Sequence, residues 1–174
     1  MHLGPIAAPY AFYLPNAPLI PENWHWQQDD AIAKLIVLNG NHWRKIFTIM
    51  AKICASGEDW RHYRDNLLLK NHEMLLIGAN TLSANASLHL LCGQAVAKPL
   101  GLDIDDIHIA PRNQQLAKQQ LMRDSQGKLQ DVTAIVKAQY PYSKHVLLTP
   151  YLDYRQYSNA LITLTRAHIQ DAHL

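Results

Sequence analysis

MLLIGANTLSANASLHLLCGQA (Met74–Ala95) contains no charged residue and changes character twice. It starts as an apolar run, breaks at Gly78, turns polar, and becomes apolar again. An apolar run of strand length without alternation reads as a strand covered on both faces, here Glu73–Gly78. The polar stretch reads as a strand-to-helix turn. From Ser83 or Asn85 onward, Leu88, Leu91, Cys92, Ala95 and Val96 fall at helical spacing, so a buried helix is expected up to Pro99 and Gly101.

The same logic extends outward. Asn41 opens a helix on which Trp43, Ile46, Phe47, Met50, Ile53 and Cys54 share a face, and Gly57 ends it. A second helix starts near Asp59. DDAIAKLIVLNGN (Asp29–Asn41) admits a capped helix or a buried strand before an Asn-Gly turn; Ile32, Leu35 and Ile36 on one helical face favour the helix. DIDDIHIAP places Ile104, Ile107 and Ile109 in a strand, and residues 112–130 read as helix or hairpin. Asp131 caps a helix through Tyr140. HVLLTP (His145–Pro150) is another apolar strand, and the last helix carries Leu161, Ile162, Thr165 and Ile169 inward. Before all of these, residues 1–28 hold five prolines and read as an extended arm, with Tyr10–Leu14 pairing as an edge strand.

Apolar strands alternating with helices predict parallel strands joined by right-handed crossovers. The expected fold is a single α/β domain over residues 1–174. It is a three-layer α/β/α sandwich with a short, mainly parallel sheet of three to five strands.

Composition narrows the class. The 174 residues are 48% hydrophobic and 17% charged, with a formal charge of +2. That mix is globular. No run of like charge is long, so composition gives nucleic acid little support. Cys54 and Cys92 lie far apart and read as reduced thiols of a cytoplasmic protein. The proline-rich start lacks the basic region of a signal peptide, and no membrane span is expected. Ten histidines form no HxxxH, HExxH or Cys–His spacing, so no metal is expected. GxxxxGK[ST], GxGxxG and GxSxG are absent too, so no cofactor is assigned and no reaction is named.

In open parallel sheets ligands bind beyond the carboxyl ends of the strands, where free N–H groups and positive helix ends converge. The residues just past the expected strands are therefore the candidate ligand site: Asn80, Thr81 and Ser83; Arg112; Tyr151, Asp153 and Arg155. Such a set suits a small anionic or nucleotide-like ligand. Each has a plainer role as well. On the plainer reading Ser83 or Asn85 caps the following helix, Asp153 is a cap, and the loop arginines are solvated. His42, beside Trp43 at a helix start, is a further acid–base candidate.

The strand HVLLTP with its following loop and helix, and the earlier strand ending at Gly78, resemble in outline motifs of the uracil-DNA glycosylases. The resemblance covers about a tenth of the chain and implies a layout. Where that family has histidine, proline and serine, this chain has Pro150-Tyr151-Leu152, and no acidic residue follows Gly78. The resemblance therefore does not carry over the glycosylase chemistry. A second reading is a non-catalytic module for protein or single-stranded nucleic acid, resting on Tyr10, Phe12, Tyr13, Trp24, Trp26, Tyr151, Tyr154 and Tyr157. Self-association through the arm as a homo-oligomer is left open.

Overall fold

The computed structural model describes residues 1–103 and 128–174. They form a mixed α/β structure around one six-stranded sheet. The strands are β1 (His2–Leu3), β2 (Tyr10–Leu14), β3 (Glu73–Ile77), β4 (Leu88–Cys92), β5 (Gln130–Asp131) and β6 (His145–Thr149), in spatial order β1-β3-β2-β4-β6-β5. β3, β2, β4 and β6 run parallel, while β1 and β5 are antiparallel two-residue edges. The helices are α1 (Ala31–Asn39), α2 (Asn41–Cys54), α3 (Trp60–His62) with a following wide turn at Tyr63–Leu67, α4 (Thr133–Gln139) and α5 (Asn159–Asp171).

The sheet is thus larger and more mixed than the expected three to five mainly parallel strands. Strands two residues long carry no periodic signal. They also blunt an edge that would otherwise offer unpaired backbone groups.

Two segments differ from their sequence reading. Tyr10–Leu14 is not an edge strand but lies inside the sheet, with Phe12 opposite Leu75 on one side and Leu90 on the other. The prolines permit this because Pro9 and Pro15 lie just outside the ladder, where a missing N–H costs nothing. The carbonyl of Pro9 even accepts from Ser87 and Leu88. Leu88–Cys92 is a strand, not a helix. Its five residues are all buried, and neighbours on both sides supply the backbone partners. A strand buried on both faces is apolar at nearly every position, here all but His89, and such a run also satisfies a helical spacing.

Side chains alternate across this sheet. Phe12, Leu14, Leu75, Ile77, Leu90, Cys92 and Leu147 face a core shared with α1, α2 and α5. Ala11, Tyr13, Met74, Leu91, Val146 and Leu148 face a second core with Leu82, Val96, Leu100, Val136 and Tyr140. Helices α1–α5 lie where the sequence indicated, but the expected caps of α1 and α2 are not made: the Asp30 side chain accepts no capping bond, and Gly40, not Asn41, precedes α2. The Asp59 carboxylate accepts from the His62 N–H at 3.1 Å, that of Asp131 from Thr133 at 3.0 Å, and the Ser158 hydroxyl from Leu161 at 3.2 Å. Arg166 of α5 donates to the carbonyls of Lys52 and Ala55 at 2.7 and 2.6 Å, tying α5 to the end of α2. Both cysteines are free thiols. No helix among the described residues is long and apolar enough to cross a membrane. The expected strand at Ile104–Ile109, most of the 112–130 segment and Arg112 lie outside the described residues.

Candidate functional site at the carboxyl ends of the strands

The first parallel strand, β2, sits between the second, β3, and the third, β4. The chain therefore leaves the carboxyl ends of β2 and β4 in opposite directions. That is a topological switch point, where open α/β sheets leave a crevice for ligands.

A hollow of about 460 Å³ lies there. Pro15 follows β2, Gly93, Gln94 and Ala95 follow β4, and Thr149, Pro150 and Tyr151 close β6; Lys128, Gln130 and Gln156 complete the wall. Gly93 makes the opening. Its N–H donates to the Thr149 carbonyl at 2.9 Å, and its φ of +98° turns the chain out of the sheet into a single turn at Gln94–Val96. A side chain at that φ is strained, so the position suits glycine. The Thr149 hydroxyl donates to the Pro150 carbonyl at 2.9 Å and so fixes the end of β6.

Tyr151 ties the rim to α2. Its hydroxyl lies 2.8 Å from His42 Nε2, and the two rings are 5.7 Å apart. Burial, then the nearby Cys92 and Asp153, raise its pKa, so this hydroxyl stays protonated at neutral pH. Beyond it, Asp153 accepts from the Arg155 N–H at 2.9 Å and meets Lys45 at 3.8 Å, while the Lys45 ammonium lies 5.6 Å from the Tyr154 ring centre. The Arg155 N–H first, and then Lys45, hold the Asp153 carboxyl below its usual range. Cys92 lines the hollow, but burial pushes its thiol up to about 12, which removes it as a nucleophile at neutral pH.

The sequence-derived candidates fall into two places. Tyr151 lines this hollow and Asp153 and Arg155 adjoin it in the same loop. Asn80, Thr81 and Ser83 line a separate hollow of about 430 Å³ at the β1–β3 edge, together with His2, Leu76 and Asn85. There the Ser83 N–H donates to the Tyr13 hydroxyl at 2.9 Å, and the Ser83 hydroxyl accepts from Asn85 at 3.2 Å. The strand-end rule did not list Pro15, Gly93, Gln94, Lys128, Gln130 or Gln156. Reading β4 as a helix hid Gly93 and Gln94, and reading β2 as an edge hid Pro15. Gly93 directly after five apolar residues was the available signal.

A model described as a family of unknown function, DUF6942, matches residues 1–170. The chain belongs to that family. The match takes in β2, β4 and β6, so one family unit supplies every strand end around the switch point. No curated protein and no solved structure matches the chain.

Proposed function

We propose that this chain binds a small anionic or nucleotide-like ligand in the hollow between the carboxyl ends of β2, β4 and β6. The supporting observation is that a hollow of about 460 Å³, within the usual size of small-ligand sites, coincides with the switch point of the sheet. Its lining suits that ligand. Gln94, Gln130 and Gln156 carry amides able to read a donor–acceptor edge. Pro15, Gly93 and Pro150 offer flat apolar surface, and Tyr151 an aromatic face. Lys128 on the wall, with Lys45 and Arg155 against the one carboxylate of Asp153 beside the rim, leaves an excess of positive charge. This reading takes the two cores as the two interfaces of an α/β/α sandwich and the protein as cytoplasmic. It assigns no reaction.

A thermal-shift screen tests it, with nucleotides, nucleobases, sugar phosphates and simple anions. A ligand at a hundredfold excess over its Kd adds about 2.7 kcal/mol of stability. Expected is a shift with one ligand class that is lost in Gln156→Ala and Tyr151→Ala. No shift with any member, or one that both variants retain, contradicts the proposal.

A second reading, an interaction module, has one observation behind it. Leu19, Ile20, Val37 and Leu38 are exposed, and the Asn39 side chain both accepts from the Leu19 N–H and donates to its carbonyl, so the arm is fixed against α1. Ordered apolar surface of this kind marks contact sites. A molecular mass independent of concentration would remove self-association through it.

A further inference from the structure

A third hollow, of about 540 Å³, lies at the opposite end of the sheet. Pro9, His72 and Ser87, the residues just before β2, β3 and β4, form its floor, and Tyr10, Tyr63 and Cys54 form the wall that matters here.

Behind that wall is Glu73, the first residue of β3, which is 0% exposed. Its Oε2 accepts from the Tyr63 hydroxyl at 2.7 Å and its Oε1 from the Leu69 N–H at 2.6 Å. The Leu69 N–H can only donate. A carboxylate, which only accepts, is therefore well served. Charge is not balanced in the same way. Glu73 makes no ion pair among the described residues. Arg166, near Cys54, is committed to the carbonyls of Lys52 and Ala55. Burial raises the Glu73 pKa, and the Tyr63 hydroxyl, the Leu69 N–H, the charge of His72 and the Cys54 thiol oppose that rise without cancelling it.

Buried charges are normally paired or bind metal. No group of three His, Cys, Asp or Glu able to hold a metal occurs among the described residues. An organic cation in the hollow has better support. It would stand on the far side of Tyr63 and Cys54 from the carboxylate, so its attraction would act through one layer of side chains. The Tyr10 and Tyr63 rings would meet it with their negative faces.

We propose that this hollow is a second ligand site, distinct from the one at the carboxyl ends, and that it takes a small primary amine or diamine as its ammonium form, held by the Tyr10 and Tyr63 rings in front of the buried Glu73. Nothing in this depends on what the first hollow binds.

Calorimetric titration of the full chain with 1,4-diaminobutane and butylamine, and with 1-butanol as the uncharged control, tests it. Expected is saturable binding of the amines but not of the alcohol, at least tenfold weaker in Glu73→Gln. Glutamine keeps an acceptor for Leu69 and gives Tyr63 a donor, so the local fold has its bonds. If that variant does not fold, Ser56→Trp, which fills the hollow from its rim, is expected to abolish amine binding instead. Absent amine binding, equal binding of butanol, or amine affinity unchanged in the folded variant overturns the proposal.

Discussion

His89 shows how one residue sets the conditions under which this chain stays folded. It is 0% exposed at the centre of β4, with Nδ1 2.8 Å from the Tyr13 hydroxyl. The Ser83 N–H donates to the same hydroxyl oxygen, and burial keeps the imidazole neutral at neutral pH. Nε2 makes no hydrogen bond among the described residues. Burial lowers the His89 pKa to about 4, against an opposing effect of the Ala86 backbone. The unfolded chain, near 6.5, then binds a proton that the folded chain refuses. The contribution is complete above pH 6.5 and is lost as pH falls from 6.5 to 4. Its full size is about 3 kcal/mol. Urea midpoints across that range are expected to fall with acid, and His89→Asn, which keeps an acceptor for Tyr13 but does not titrate, is expected to flatten the profile. Equal slopes in both proteins would show that His89 is not the group responsible. Gly93 acts at the same scale. Its φ of +98° makes Gly93→Ala cost about 1 kcal/mol or more. A Cβ there would lie 3.6 Å from that of Tyr151, ordinary contact, so the loss should come from backbone strain and appear in the melting temperature.

Elements were legible in proportion to how one-sided their burial is. α2 and α5 each bury one stripe and expose the other, and their spacing announced them; Leu161, Ile162, Thr165 and Ile169 are the buried residues of α5, as the pattern indicated. β2 and β4 are covered on both faces, so period two vanished from their sequences, and only their neighbours decide them. That is why Leu88–Cys92 read as helix, and why a proline-flanked Tyr10–Leu14 read as an edge. Caps were legible only in part: Asp131 accepts from Thr133 as expected, but Asp30 and Asn41 make no side-chain cap, and Ser83 and Asn85 precede a strand. Ser158→Ala is expected to remove the bond to the Leu161 N–H and to cost about 1 kcal/mol, while Ser158→Gly should cost only a few tenths. Equal losses in chemical denaturation would argue against a side-chain cap.

At the scale of the whole molecule, topology does what no short motif in the sequence does. It brings Pro15, Gly93, Thr149 and Tyr151, spread over more than a hundred residues, to one edge of the sheet. The rule that ligands gather at carboxyl ends was available from the sequence and led to Tyr151. The strand order was not, so Asn80, Thr81 and Ser83 were grouped with Tyr151 although they line another hollow. The membership of the site followed only once β2 and β4 were placed side by side. The central claim is that the switch point is the binding site. The most direct test is an amide chemical-shift map of the full chain, titrated with the ligand that a thermal screen selects. The account predicts that the largest shifts fall at Gly93, Gln94, Thr149, Tyr151 and Gln156. Shifts centred on residues 78–85, or spread evenly over the surface, would contradict it.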